Sequence, residues 1–249
     1  MCIIAIAWQA HPDWELVVAA NRDEYHNRPS SPLGRWNDKP QLLAGRDLRS
    51  GGTWLGISEA GRLAAVTNIG GYGLPAQDRP SRGELVTSVL EGVAPAAIPL
   101  AAYNPVHLLA IDQHEARILS NRPHLQGVDL SPGIYTLSNA EAGVSWAKTE
   151  RLEATLGQWL TRPSHAPDTL LDGLREERLP KAAETSAERP NPIFIRDPLY
   201  GTRCSSVIMI DRAGQGLFVE RRFTPAGDAD GDTRLRFSWP VQRADSRAG

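Results

Sequence analysis

Apolar residues in the first twenty positions come in two blocks. Cys2–Trp8 is a β-branched, apolar run, and Glu15–Ala20 is another. His11-Pro12-Asp13 between them has turn chemistry, so the segment predicts a hairpin of buried strands. Thr53–Ser58 and Arg62–Thr67 flank Glu59-Ala60-Gly61 and predict a second hairpin. Val106–Ile111 with Ala116–Ser120, and Thr202–Ile210 with Gly216–Arg221 about the turn Asp211–Gln215, predict two more strand pairs. Gly133–Ser138 reads as a further strand. Helical spacing is found at Trp146–Leu160, at Thr169–Arg178 and after Ser81, where Glu84 completes a capping box ahead of Leu85, Val86, Val89 and Leu90. Pro29–Pro40, Gly70–Pro80 and Lys181–Pro192 read as loops, the last as a linker. Serial hairpins with a few helices predict an α+β chain with antiparallel sheets, not a doubly wound parallel one.

Composition narrows the classes. A chain of 249 residues, 41% hydrophobic, buries a full core, and it is read as one domain over 1–249. The net charge of −2 and the absence of a Lys/Arg cluster argue against a nucleic-acid partner. No apolar run reaches the roughly 18–20 residues of a membrane span. The first residues lack the leading positive charge of a signal peptide, so the expected location is the cytoplasm. Cys2 and Cys204 have no metal-ligand spacing, and free thiols are expected. Neither a metal nor a resident cofactor is expected.

Three features carry candidate chemistry. Cys2 follows the initiator Met, which is expected to be removed before so small a side chain. The exposed α-amine, with a pKa of about 7.7–8.0, would take the thiol proton, so nucleophile and base belong to one residue. Asn21-Arg22-Asp23-Glu24 directly follows a buried-looking strand, where polar residues are costly unless they pair or face a cavity. A hairpin would bring it back to Cys2. Asp23 could then hold the amine, and Arg22 could bind a substrate carboxylate or pair with Asp23 or Glu24. Finally, Asn68, Asn139 and Arg203 stand at the ends of later strands. Asparagine N–H groups can donate to a developing oxyanion.

These residues resemble a known family. Met1-Cys2-Ile3-Ile4, Ala19–Glu24 and Arg28-Pro29, then Gly51–Ser58, Ala64–Asn68, Arg82–Val86, Leu137–Ala140 and Tyr200–Arg203, are similar to the NRDE, or transport-and-Golgi-organisation, family. The resemblance covers nearly the whole chain apart from 93–105 and 156–192. It implies a four-layer αββα sandwich like that of the N-terminal-nucleophile hydrolases. In that setting Cys2 would be nucleophile and base and Asp23 the amine anchor. Asn139 would be an oxyanion or amine contact, and Arg203 a supporting residue. Asn21, Arg22, Asn68 and Trp54 would contact a small-molecule substrate. The related amidases carry Arg where this chain has Ala20. Neighbouring strand residues point to opposite faces, so Arg22 is not expected to take over that arginine's role.

The activity implied is hydrolysis or transfer of an acyl group from an amide or thioester. The alternatives are a non-catalytic carrier of haem or acyl-CoA, with His11, His26 or His107 as candidate axial ligands, and a membrane-traffic factor.

Overall fold

The computed structural model describes residues 2–178 and 192–240. Strands β1 (Cys2–Trp8) and β2 (Trp14–Tyr25) form the expected hairpin, and β2 runs on through the polar tetrapeptide. They are followed by β3 (Ser30–Arg35), β4 (Leu42–Asp47), β5 (Leu55–Ser58) and β6 (Arg62–Asn68), then helix α1 (Arg82–Leu90). Next come β7 (Val106–Ile111), β8 (Ala116–Ser120), β9 (Gln126–Asp129) and β10 (Gly133–Leu137), and helices α2 (Ala147–Leu160) and α3 (Pro167–Gly173). Strands β11 (Tyr200–Asp211), β12 (Gln215–Phe223) and β13 (Ala229–Ser238) complete the described elements.

Among the described residues the strands form two antiparallel sheets. One has the order β10-β1-β2-β11-β12-β13, the other β3-β4-β5-β6-β7-β8-β9. Their facing sides interdigitate through Ile4, Val18, Leu43, Ile57, Ala65, Leu109, Ile208 and Phe218. The outer face of the first sheet (Ile3, Ala5, Val17, Ala19, Val207) is covered by Leu152, Leu156 and Trp159 of α2 and by Leu170 and Leu171 of α3. The outer face of the second packs Ala64, Val66 and Leu108 against Leu85, Val86, Val89 and Leu90 of α1. The result is the α-β-β-α sandwich. Strands buried on both faces need continuous apolar runs, which is why β1, Leu16–Ala20 of β2 and Val207–Ile210 of β11 read as unbroken apolar stretches.

Two local expectations change. Pro29–Pro40 is not loop throughout: it contains β3, whose place at the sheet edge tolerates Pro32 because one side of an edge strand needs no ladder donor. Helix α3 covers Pro167–Gly173 rather than Thr169–Arg178, with Pro167 in its first turn and the C-cap at Leu174. Ser81 does cap α1, its Oγ accepting from the Gly83 amide at 3.3 Å. The proposed linker Lys181–Pro192 lies almost wholly outside the described residues.

Candidate active site

Strand register places the chemistry. Cys2 of β1 lies directly opposite Arg22 of β2, Arg22 opposite Cys204 of β11, and Cys204 opposite Arg222 of β12. Directly opposed residues share a face, so these four form one row across four strands. Ile4 and Ala20 on the same face belong to the inter-sheet core, so the row faces the second sheet. There the apolar filling stops and a cleft of about 530 Å³ opens. Cys2, Arg22 and Cys204 line it from the first sheet, Trp54 and Asn68 from the second, and Arg82 from the start of α1. Ala20 and Arg22 stand two residues apart and share this face. Alternation puts residues two apart on one face, so Arg22 is a direct neighbour of Cys2, and the expectation that opposite faces separate it from the Ala20 position does not hold.

Asn21 and Asp23 take the other side of the pleat. Asn21 is fully buried and absent from the cleft wall. Its Nδ2 donates to the carbonyls of Leu174 at 2.8 Å and Ile193 at 2.9 Å, and its Oδ1 accepts from Ser205 Oγ at 2.6 Å. It ties the strand to the end of α3, satisfying a carbonyl that the helix terminus leaves free. The expectation that Asn21 contacts substrate therefore gives way to an anchoring geometry. Asp23 is also buried, and Thr202 Oγ1 donates to its Oδ1 at 2.7 Å. Burial raises its carboxyl to about 6, while nearby positive charge, including Lys148, and the Thr202 bond hold it down. The Asp23 backbone amide favours the thiolate form of Cys2.

Burial also raises the Cys2 thiol, and the Asp23 charge adds to this, although Arg22 and the Asp23 amide work the other way. Cys204 is raised well above the ordinary thiol value by burial and by the adjacent Glu220 charge. Cys204 is thus a protonated, buried thiol, as its place in a core strand suggests.

The remaining candidates are distributed unevenly. Asn139 lies in the bend beyond β10, two residues past Leu137, which pairs with Ile4 of β1, and it is not among the residues lining the cleft. Its Nδ2 donates to the Asn68 carbonyl at 2.6 Å, and its buried Oδ1 has no hydrogen-bond partner among the described residues. Asn68 is exposed and Trp54 half-buried; both line the cleft. Arg203 also lines it, but its Nη1 is held by the carbonyls of Tyr25, His26 and Arg28 at 3.0–3.2 Å, clamping the turn after β2.

Lys148 was not singled out in the sequence. It is fully buried, yet its spacing exposed it: Lys148, Leu152, Leu156 and Trp159 form one stripe of α2 at helical intervals. The three candidate histidines do not converge. His11 is at the β1–β2 turn and His26 beyond the other end of β2. His107 is buried in β7 with Nδ1 bonded to Ser120 Oγ at 2.6 Å and Nε2 to the Ala140 carbonyl at 2.8 Å. Among the described residues no group of three His, Cys, Asp or Glu side chains could hold a metal ion, and no helix is long and apolar enough to cross a membrane.

Two antiparallel sheets between helix layers, with a cysteine opening the central hairpin at the mouth of a cleft, define the N-terminal-nucleophile hydrolase fold. The structure aligns over 99% of its length with 100% of a conjugated bile acid hydrolase from Clostridium perfringens, with TM-score 0.52 and 8% identity. A second structure of that hydrolase gives TM-score 0.53 and 9% identity over 94% of this chain and 92% of that one. Within this fold, residues 1–225 match the family Transport and Golgi organisation 2, and the chain belongs to that family. It is 34% identical over 256 residues to the Transport and Golgi organization protein 2 homolog of Homo sapiens, covering 89% of this chain and 92% of the relative. Over 270 residues it is 26% identical to Transport and Golgi organization protein 2 of Drosophila melanogaster, covering 90% and 93%.

Proposed function

We propose that the protein is an N-terminal cysteine hydrolase or acyltransferase acting on an amide or thioester. The observation that carries this reading is the position of Cys2. It is the first residue of β1, lines the cleft, and lies directly opposite Arg22 of β2. A thiol raised by burial is protonated at neutral pH and needs a base within reach. Removal of Met1 would supply one as the Cys2 α-amine.

In this mechanism the amine takes the Sγ proton and the thiolate attacks the substrate carbonyl. The tetrahedral intermediate collapses as the leaving nitrogen or sulfur takes the proton back from the ammonium, leaving an acyl-cysteine thioester. Water, or a second nucleophile, attacks that thioester through the same amine and regenerates the thiol. Asp23 would hold the ammonium. The unpartnered Oδ1 of Asn139 suits a contact to that ammonium better than an oxyanion contact, because an amide oxygen accepts and does not donate. Arg203 would act indirectly, by fixing the turn that carries Arg28.

The test begins with intact mass and peptide mapping after brief exposure of native protein to limiting iodoacetamide. The expected result is loss of Met1 and alkylation of Cys2 well before Cys204. Incubation with a panel of amides and thioesters should then leave an acyl mass on Cys2 that the Cys2→Ala variant lacks. Retention of Met1, or full turnover by Cys2→Ala, would end the proposal. A carrier of haem or acyl-CoA using the same cleft would instead keep its ligand affinity in Cys2→Ala and never show an acyl adduct.

A further inference from the structure

The cleft has a charge that the proposed chemistry does not use. The chain as a whole is slightly acidic, at −2, yet more arginines than carboxylates line the cleft. Some are neutralised: Arg28 Nε is 2.5 Å from Asp47, and Arg46 is 2.8 Å from Asp38. Others are not. Arg79 and Arg82 donate to backbone carbonyls, and Arg222 to the Thr233 hydroxyl and the Asp230 carbonyl.

Arg22 is the most informative. It is 9% exposed and stands beside Cys2. Its nearest carboxylates are Asp47 at 3.5 Å and Glu24 at 3.8 Å, and among the described residues it donates no hydrogen bond. Asp47 is already occupied: Oδ2 accepts from Arg28, and Oδ1 from the amides of Arg49 and Ser50. A buried guanidinium with five N–H donors requires acceptors, and the cleft is where they can arrive.

Arg82 approaches from the other wall of the same cleft. It is the first residue of α1, so the helix N-terminus adds its own partial positive charge. Two sequence blocks with no role in the thiol chemistry build this corner. A Cβ on Gly52 would lie 2.6 Å from the Gly83 carbonyl carbon, so the Gly51-Gly52-Thr53 and Arg82-Gly83-Glu84 segments meet backbone to backbone.

We propose that the cleft takes an anionic amide or thioester whose carboxylate or phosphate bridges Arg22 and Arg82 beside the Cys2 thiol. This rests on the reading of Cys2 as nucleophile for the reaction, but the anion site itself does not need turnover.

The experiment is calorimetric titration of the full chain at low ionic strength with pyrophosphate, inorganic phosphate and succinate. Saturable binding is expected for at least one, weakened at high salt and about tenfold or more in Arg82→Gln and Arg22→Gln. Preference for pyrophosphate over succinate assigns a phosphate, and the reverse a carboxylate. If Arg22→Gln does not fold, Arg82→Gln decides, because Arg82 gives up only one long bond, to the Pro105 carbonyl at 3.3 Å. No binding of any of the three, or binding unchanged in a folded Arg82→Gln, overturns the proposal.

A second readout separates this idea from the one beneath it. Cys2 should favour iodoacetate over neutral iodoacetamide more than the unfolded chain does, and Arg82→Gln should reduce that preference. If Cys2 resists both reagents while pyrophosphate or succinate binds, the nucleophile reading fails and the anion site stands. If iodoacetamide labels Cys2 and no anion binds, the reverse holds.

Discussion

Asn21→Ala should unfold this protein more readily without touching the cleft. The substitution removes three hydrogen bonds and strands the Leu174 and Ile193 carbonyls and the Ser205 hydroxyl. A stranded buried polar group costs about 1–3 kcal/mol, so the simple sum reaches about 9 kcal/mol. Neighbouring losses are not additive, and the hydroxyl can rotate, which brings the expectation to about 3–5 kcal/mol. For a chain of this length that is a fall in Tm of about 6–10 °C, at roughly 2 °C per kcal/mol. Asn21→Asp should be worse at pH 8 than at pH 4. Its carboxyl would face two carbonyl oxygens, so its folded pKa would rise. A raised carboxyl contributes stability below the unfolded value and loses it as pH climbs through the folded value. Thermal and urea unfolding measure both effects, and labelling of Cys2 in the folded fraction reports on the cleft. A Tm shift under about 2 °C would refute the anchoring account. Loss of cleft function with unchanged melting would return Asn21 to the substrate-binding role that the sequence first suggested.

Other perturbations test other joints. Gly52→Ala should cost about 1–3 kcal/mol by driving a Cβ into the Gly83 backbone, and should weaken anion binding by displacing Arg82; unchanged melting would show that the corner yields freely. Burial holds His107 below its ordinary pKa, so it contributes stability above that value, near 6.5, and loses it as pH falls through the lower, folded value. Melting temperature should therefore drop on acidification below about pH 6.5, and His107→Gln should flatten that limb; identical slopes would exclude His107 as the cause. Lys148→Met removes a positive charge beside Asp23 and should move the Asp23 carboxyl above its value of about 6, read by carbon NMR titration; an unmoved titration would break the proposed coupling.

The layered fold was legible because its inner strands are buried on both faces, so that β1, Leu16–Ala20 of β2 and Val207–Ile210 of β11 had to be apolar. Edge strands were harder. In β3 the prolines mimic a loop, and in β13 Leu235 and Phe237 alternate with Arg234 and Arg236 while the opposite face is exposed. That period-two pattern was present but thinly apolar. At the site, the hairpin argument alone was enough to bring residues 21–24 back to Cys2. What it could not supply was the side each residue takes once β11 pairs with β2. Asn21 reads as a ligand contact until Leu174 and Ile193, more than 150 positions away, are seen to hold it. Lys148 needed only a helical-stripe count, whereas the Arg22–Asp47 relation depends on a turn between strands of the other sheet.

The Asn21–Asp23 segment also makes register a functional variable. The pleat sends Arg22 to the cleft and Asn21 and Asp23 to the helix layer. A slip of a single residue along β2 would exchange them, forcing a long, charged guanidinium into the fully buried place that Asn21 fills and taking the arginine away from Cys2. Burying that charge is costly, and losing Arg22 from the cleft removes the positive charge beside the thiol, so misthreading of the hairpin is penalised in stability and at the site together. Shortening the turn at His11-Pro12-Asp13 by one residue should therefore not yield a folded, inactive protein. It should yield one that fails to fold, with architecture and chemistry lost in a single step.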